Sequence, residues 1–188
     1  MSATPLRWTV VTFHRVNATG VFEGRRPMLL RGVLMEQGPM NPPHATAVDL
    51  TIEVLWGIFG AGWRIRGQSP LVLGQDTDPF PDVAVVAGGP RDFATSHPTT
   101  AALVVEVSDT TLAVDMTEKA ELYATAGIAD YWILDLVGRR LLVYRNPAPL
   151  PAPLSAIAYS THLTLGPNDT VSPLAAPSST IQVADLLP

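Results

Sequence analysis

Two strand-length apolar runs constrain this chain more than any other feature: Val83-Ala84-Val85-Val86 and Leu103-Val104-Val105-Glu106-Val107. Neither run alternates apolar with polar residues. Strands of that kind are covered on both faces, so they belong inside a sheet with a layer on each side. A third run, Tyr131-Trp132-Ile133-Leu134-Asp135, follows a helical stretch. Side chains alternate along a strand. Asp82, Ala84 and Val86 therefore share one face, and so do Val104, Glu106 and Ser108. A carboxylate in such a strand is costly unless a cation or hydrogen bonds compensate it. Glu106 is the first candidate functional residue for that reason.

Between the second and third runs a helix is expected from Asp115. Asp115-Met116-Thr117-Glu118 fits a capping box, and Gly127 is a natural stop. Plotted at about 100° per residue, Met116, Leu122, Tyr123 and Ala126 gather on the apolar side. Lys119 falls in the middle of them. A lysine there either snorkels outward or meets an anionic site. Its conflict has the opposite sign to that of Glu106, and one ion pair or one shared metal-phosphate site resolves both.

Upstream, Pro42-Pro43-His44 opens a helix that runs to Phe59, with Val48, Ile52, Leu55 and Phe59 on one face and Asp49, Glu53 and Trp56 along its flank. Trp8–Phe13 reads as a strand. Met28–Glu36 reads as a strand broken by Gly32, half of a hairpin. Trp63–Gly67 and Leu71–Gly74 are short strand candidates, and residues 91–100 a polar loop. After Tyr131–Asp135 the chain turns at Gly138 and returns over Arg140–Arg145. Residues 146–153, rich in Pro and Ala, suggest a loop. Tyr159–Leu165 is a further strand. Val171–Leu187 forms an extended tail, its last residues docking as a short helix. The order predicts an α/β or α+β fold, a mixed sheet with flanking helices, in one domain over residues 1–188.

Several function classes drop out. The chain has no Cys, which excludes disulfides, thiolate metal sites and a Cys nucleophile. No Gly-x-x-x-x-Gly-Lys-Ser/Thr string accompanies the acid-ended strands, so an ATPase is rejected. No Gly-x-Ser-x-Gly elbow is present. The net charge of -5 argues against a global nucleic-acid footprint but leaves room for a local Arg-lined cleft. No apolar run approaches a membrane span and no leader pattern opens the chain, so a cytoplasmic protein without membrane contact is expected. Charged residues make up only 15%, which suggests covered surface and a homodimer or higher oligomer.

Asp82, Glu106 and Lys119 form the constellation that carries chemistry. Two acids on adjacent strands fit Mg²⁺, which takes oxygen ligands and keeps water. Such a site activates an attacking water at a phosphodiester, with the lysine offsetting transition-state charge. The backbone carbonyl of Val107 is an additional ligand candidate. The alternative makes Asp82 a turn residue and Glu106–Lys119 a structural ion pair; from pattern alone the two stand level. His44 is either a phosphate contact or a helix N-terminal residue. Tyr123, Tyr131 and Trp132 could stack on bases, but their patterned segments favour core packing. Asp135 suits a hairpin role.

Taken together, Pro81-Asp82-Val83-Ala84-Val85-Val86, Leu103-Val104-Val105-Glu106-Val107-Ser108, then Asp115, Lys119, Tyr123, Gly127 and Tyr131–Asp135 resemble the Uma family of putative restriction endonucleases, within the PD-(D/E)XK nuclease superfamily. The resemblance extends from the hairpin at Gly32 to Thr170–Leu174 and the chain end. It implies a restriction-endonuclease-like α-β-β-β-α-β core, a Mg²⁺ (or Mn²⁺) site and DNA as substrate. Asp82 matches the motif Asp and Glu106 the motif acid. Ser108 stands where the superfamily has Lys, and Lys119 looks like that Lys moved onto the following helix. Glu53 is a weaker match to an acid on the first helix. Arg31 stands where an acid before the Gly is usual. The resemblance implies a metal-dependent DNA endonuclease; the alternative is an inactive nuclease-fold protein that binds nucleic acid or a protein partner.

Overall fold

The computed structural model describes residues 3–188. Its centre is a six-stranded sheet: β3 (Trp63–Gly67), β4 (Val83–Ala87), β5 (Leu103–Ser108), β6 (Asp130–Asp135), β7 (Arg140–Pro149) and β8 (Ile157–Leu165), in that spatial order. Only β5 and β6 run parallel; the other neighbours are antiparallel. A parallel pair needs a crossover, and residues 109–129 supply it with a helical segment.

Both faces of the sheet are covered, as the unbroken apolar runs predict. On one face Val83, Val85, Val105, Val107 and Trp132 pack against α2 (Pro42–Ile58) and the C-terminal segment. On the other, Ala84, Val86, Val104, Tyr131 and Ile133 pack against the crossover helix and Leu71 and Leu73. The core order α2-β3-β4-β5-helix-β6 is the expected α-β-β-β-α-β arrangement. Asn41 caps α2, its side chain accepting from the His44 N–H. Two prolines fill the first turn, where no N–H is needed.

The expected strand at Trp8–Phe13 is a helix instead, α1 (Val10–Asn17), capped by Thr9. Val10 and Phe13, three apart, are buried while Val11 is exposed. A strand would have put Val11 and Phe13 on the same face. The segment Met28–Glu36 supplies both halves of a hairpin, β1 (Pro27–Leu30) and β2 (Val33–Glu36), with Leu30 opposite Val33. Arg31 and Gly32 both have positive φ, as a two-residue hairpin turn requires. A Cβ at Gly32 would also stand 2.9 Å from the Arg7 Cβ.

Leu71–Gly74 is not a strand. Its amides bond to Pro79, Pro98 and Thr77 carbonyls within loops, and no ladder forms. The Pro- and Ala-rich stretch expected as a loop is in part the end of β7. Asp130 opposite Arg145 is the last β6–β7 pair, while β8 continues beside Pro147 and Pro149. Beyond Arg145, β7 is open on one side, where prolines cost no ladder bond. The tail pairs β9 (Thr170–Val171) with β10 (Ile181–Gln182) and ends in a 3-10 turn, Val183–Leu186, with Val183 and Leu186 buried.

The crossover helix differs most from expectation. It begins at α3 (Leu112–Val114), widens into a π turn over Asp115–Lys119, and resumes as α4 (Ala120–Thr125). Asp115 is therefore not the cap. Its N–H already bonds to the Thr111 carbonyl, and its carboxylate is buried. Gly127 does end the helix: with φ +75° it lets the Ile128 N–H reach the Tyr123 carbonyl.

Candidate active site

Asp82 stands one residue before β4. Continuing the pairing of Val83 with Val105 places it opposite Glu106. The Asp82 N–H lies 3.4 Å from Glu106 Oε2. Asp82 Oδ2 accepts from the Val107 N–H at 2.9 Å. Asp82 Oδ1 accepts from His44 Nε2 and from Gln68 Nε2, each at 3.1 Å. Glu106, 3% exposed, accepts from the Tyr123 hydroxyl at 2.6 Å on Oε1. Lys119 Nζ lies 3.1 Å from Glu106 Oε2 and 2.9 Å from Asp115 Oδ1. The Thr111 hydroxyl donates to Asp115 Oδ2 at 2.7 Å.

The fold thus brings together Asp82, Glu106, Lys119, His44 and the Val107 backbone. It leaves Glu53 exposed on α2, away from the cleft described below. Ser108 is buried, its hydroxyl 3.4 Å from that of Thr111. Tyr131 and Trp132 are core residues. Asp135 binds the Gly138 N–H and Arg140 within the β6–β7 hairpin.

Three partners escaped sequence reasoning. Asp115 was hidden by its match to a helix cap, although its spacing of four from Lys119 is a helical ion-pair signal. Tyr123, four residues beyond Lys119, shares its inward side, but nothing in the pattern says that its hydroxyl meets Glu106. Gln68 reaches Asp82 from the end of β3, and the sequence carries no signal for it.

Three carboxylates, Asp82, Glu106 and Asp115, face one ammonium and one imidazole. Burial pushes the Glu106 carboxyl up most strongly; Lys119 pulls it down, Asp82 and Asp115 push it up, and it settles at about 7. Burial also disfavours charge on Asp82, but the His44 hydrogen bond, the His44 charge and the Val107 and Gln68 N–H groups together hold it below the usual carboxylate range. The hydrogen bond to Asp82 raises His44. Burial would lower Lys119, yet the facing Glu106 and Asp115 carboxylates raise it. Asp82 and Lys119 are therefore charged at neutral pH, while Glu106 is held well above the usual carboxylate range.

Asp82, Glu106, His44 and Lys119 line the floor of a cleft of about 660 Å³, while the fully buried Asp115 is not part of its lining. The β1–β2 hairpin makes one wall, with Met28, Leu30, Val33 and Met35; Arg7 and Arg31 lie on its rim. A more open hollow of about 560 Å³, between the first turn of α2 and the β6–β7 turn, contains none of the buried charges.

The family model for Uma2, described as a putative restriction endonuclease, matches residues 11–184. No curated protein matches the chain significantly. Among solved structures, a putative nuclease belonging to DUF820 from Anabaena variabilis superposes with a TM-score of 0.71 at 14% identity, over 97% of each chain. That likeness shows a shared fold. No described helix is long and apolar enough to cross a membrane.

Proposed function

The chain belongs to the Uma2 family of putative restriction endonucleases, and on that premise we propose that it is a divalent-metal-dependent endonuclease of the PD-(D/E)XK type, hydrolysing DNA phosphodiester bonds. The observation that carries this reading is the buried Glu106–Lys119 pair beside Asp82 at the floor of an open cleft.

The donor set fits Mg²⁺ or Mn²⁺. A carboxylate offers about four lone-pair sites, and the contacts that Asp82 and Glu106 make with the described residues occupy three on each. Each retains one, and the carboxylates outnumber the cations around them. Among the described residues no three His, Asp or Glu side chains gather closely enough to hold a metal alone. Asp82 and Glu106 would therefore share the ion with the Val107 carbonyl and water, a mixture that suits Mg²⁺. When bound, the ion would acidify a coordinated water and neutralise charge on the phosphate.

The remaining work falls to the chain. His44, Gln68 and the Val107 N–H keep Asp82 ionised and fixed in orientation. Tyr123 fixes Glu106 from the opposite side. Lys119, the only lysine in the sequence, is held charged and directs its ammonium toward the attacking water and the developing phosphate charge. Asp115 is a positioning residue, because it acts through Lys119.

A second reading, an inactive nuclease-fold interaction module, is favoured by one observation. Lys119 is already committed to two carboxylates, so the network closes without any ligand. Supercoiled plasmid in Mg²⁺ or Mn²⁺ separates the two. Nicking by the wild type that Asp82→Ala and Lys119→Ala abolish supports the enzyme. A wild type that neither nicks nor shows calorimetric metal binding supports the module.

A further inference from the structure

The lining of the cleft is unlike a surface built to grip duplex DNA. Its wall is Met28, Leu30, Val33, Met35, Met40 and Phe80. Val33, Met35 and Met40 remain 42%, 46% and 42% exposed, large apolar side chains in water beside buried charges. Besides Lys119 and His44 in the floor, the lining offers, among the described residues, only Arg7 and Arg31 as cations. Arg31 is also paired with Glu121 at 3.1 Å. Glu36, Asp109 and Glu118 add negative charge.

A duplex presents dense phosphate charge and hides its base faces in the stack. Proteins that hold it neutralise many phosphates with Lys and Arg. Unpaired bases expose apolar π faces, which need apolar or aromatic surface to cover them. Methionine suits this, being adaptable and attracted to aromatic rings. The cleft volume of about 660 Å³ falls within the small-ligand range, roughly 300–1,000 Å³, which accommodates a few nucleotides.

From this lining, and resting on the nuclease reading above, we infer that the cleft takes an unpaired DNA segment, with base faces against the hairpin wall of Met28, Val33 and Met35 and the backbone between Arg31 and Lys119. An unpaired strand is cut at one site, so a single copy of the chain is sufficient for the reaction. The few cations set the salt response. Neutralising about three phosphates on a single strand gives a slope of log affinity against log salt near −2.

The test compares a labelled 12-nucleotide oligothymidylate with a 12-base-pair duplex. Cleavage is followed in Mn²⁺ and binding in Ca²⁺, for the wild type and for Met35→Glu, a substitution at an exposed hairpin position. The inference expects the single strand to be cleaved at least tenfold faster and bound with a salt slope near −2. It also expects Met35→Glu to lower single-strand cleavage at least tenfold while changing the duplex rate less. The ratio of the two rates is a readout that a general loss of stability leaves unchanged. Duplex cleavage as fast as single-strand cleavage overturns the inference and leaves the nuclease reading standing. If neither is cleaved, the plasmid and calorimetric tests above decide the nuclease reading, and the Ca²⁺ data here decide the ligand. Tighter single-strand binding, weakened by Met35→Glu, supports the cleft assignment; binding of neither, or equal binding of both, overturns it.

Discussion

Replacing Glu106 with Gln tests the electrostatics of the site without disturbing its shape. Glutamine is isosteric. Its carbonyl can accept from Lys119, and its amide can donate to the Tyr123 hydroxyl, which accepts as well as donates. In the folded chain the Glu106 carboxyl keeps its proton up to about 7, against 4.5 for an exposed glutamate. Between those values the folded state binds the extra proton. Stability from this group is therefore greatest below the unfolded value and falls as pH rises through 7. At about 1.4 kcal/mol per pH unit, the gap amounts to about 3 kcal/mol. Glutamine carries no such dependence. Urea unfolding of both proteins in EDTA, from pH 4.5 to 8, reads the effect, because groups that do not face Glu106 cancel in the difference; His44, which the Glu106 charge helps to raise, adds a smaller contribution. The advantage of Glu106→Gln over wild type should grow by about 3 kcal/mol across that range, with most of the change complete by pH 7. A difference that stays flat, or shrinks as pH rises, would refute the assignment of a raised Glu106 and with it the picture of an over-buried carboxylate.

Other outcomes follow from the same contacts. Lys119→Met leaves Glu106 and Asp115 without their cation and should cost about 3–5 kcal/mol at pH 8; the loss should be smaller at pH 5, where Glu106 protonates, and urea titrations at both values check it. Tyr123→Phe removes a charge-assisted hydrogen bond, about 1.5–3 kcal/mol. It also raises Glu106 further, so at the proposed metal site the pH at which calorimetric Mg²⁺ affinity becomes half-maximal should be higher in the variant than in the wild type; no movement would disconnect Tyr123 from that site. Gly32→Ala forces a Cβ onto Arg7 at a positive φ and should destabilise by about 1–3 kcal/mol, read as a lower thermal midpoint.

The sheet centre was legible because double-sided burial leaves an unbroken apolar run, and β4, β5 and β6 are such runs. The inward position of Lys119 was legible too, since Lys119, Leu122 and Tyr123 sit at the end of the π turn and beyond it, where ordinary helical phase resumes. Met116 lies at its start. A wide turn advances less per residue, and Met116, expected inside, is 39% exposed. Asp115 illustrates a different limit: one residue type satisfies both a cap rule and an ion-pair rule, and only the position of the preceding turn chooses between them. His44 and Glu53 sit on one helix, and periodicity ranks neither above the other. What separates them is the packing of α2 on the sheet, which brings its first turn to Asp82, where His44 bonds the carboxylate, and leaves Glu53 exposed. The prolines of β7 read as a loop because the sequence does not reveal that β6 ends at their level.

The salt-bridged ammonium of Lys119 makes the protein its own reporter. With one lysine in 188 residues, an ε-amine label falls on a single residue, separated by its peptide from any label on an α-amine, and a lysine-specific protease has a single internal target. Acylating reagents attack the uncharged amine. The facing carboxylates hold Lys119 charged and three-quarters covered, so the folded chain resists labelling. A cation that drew Glu106 away would loosen that hold. Mass spectrometry of one peptide then measures occupancy of the cleft floor directly, in a mixture and without a substrate.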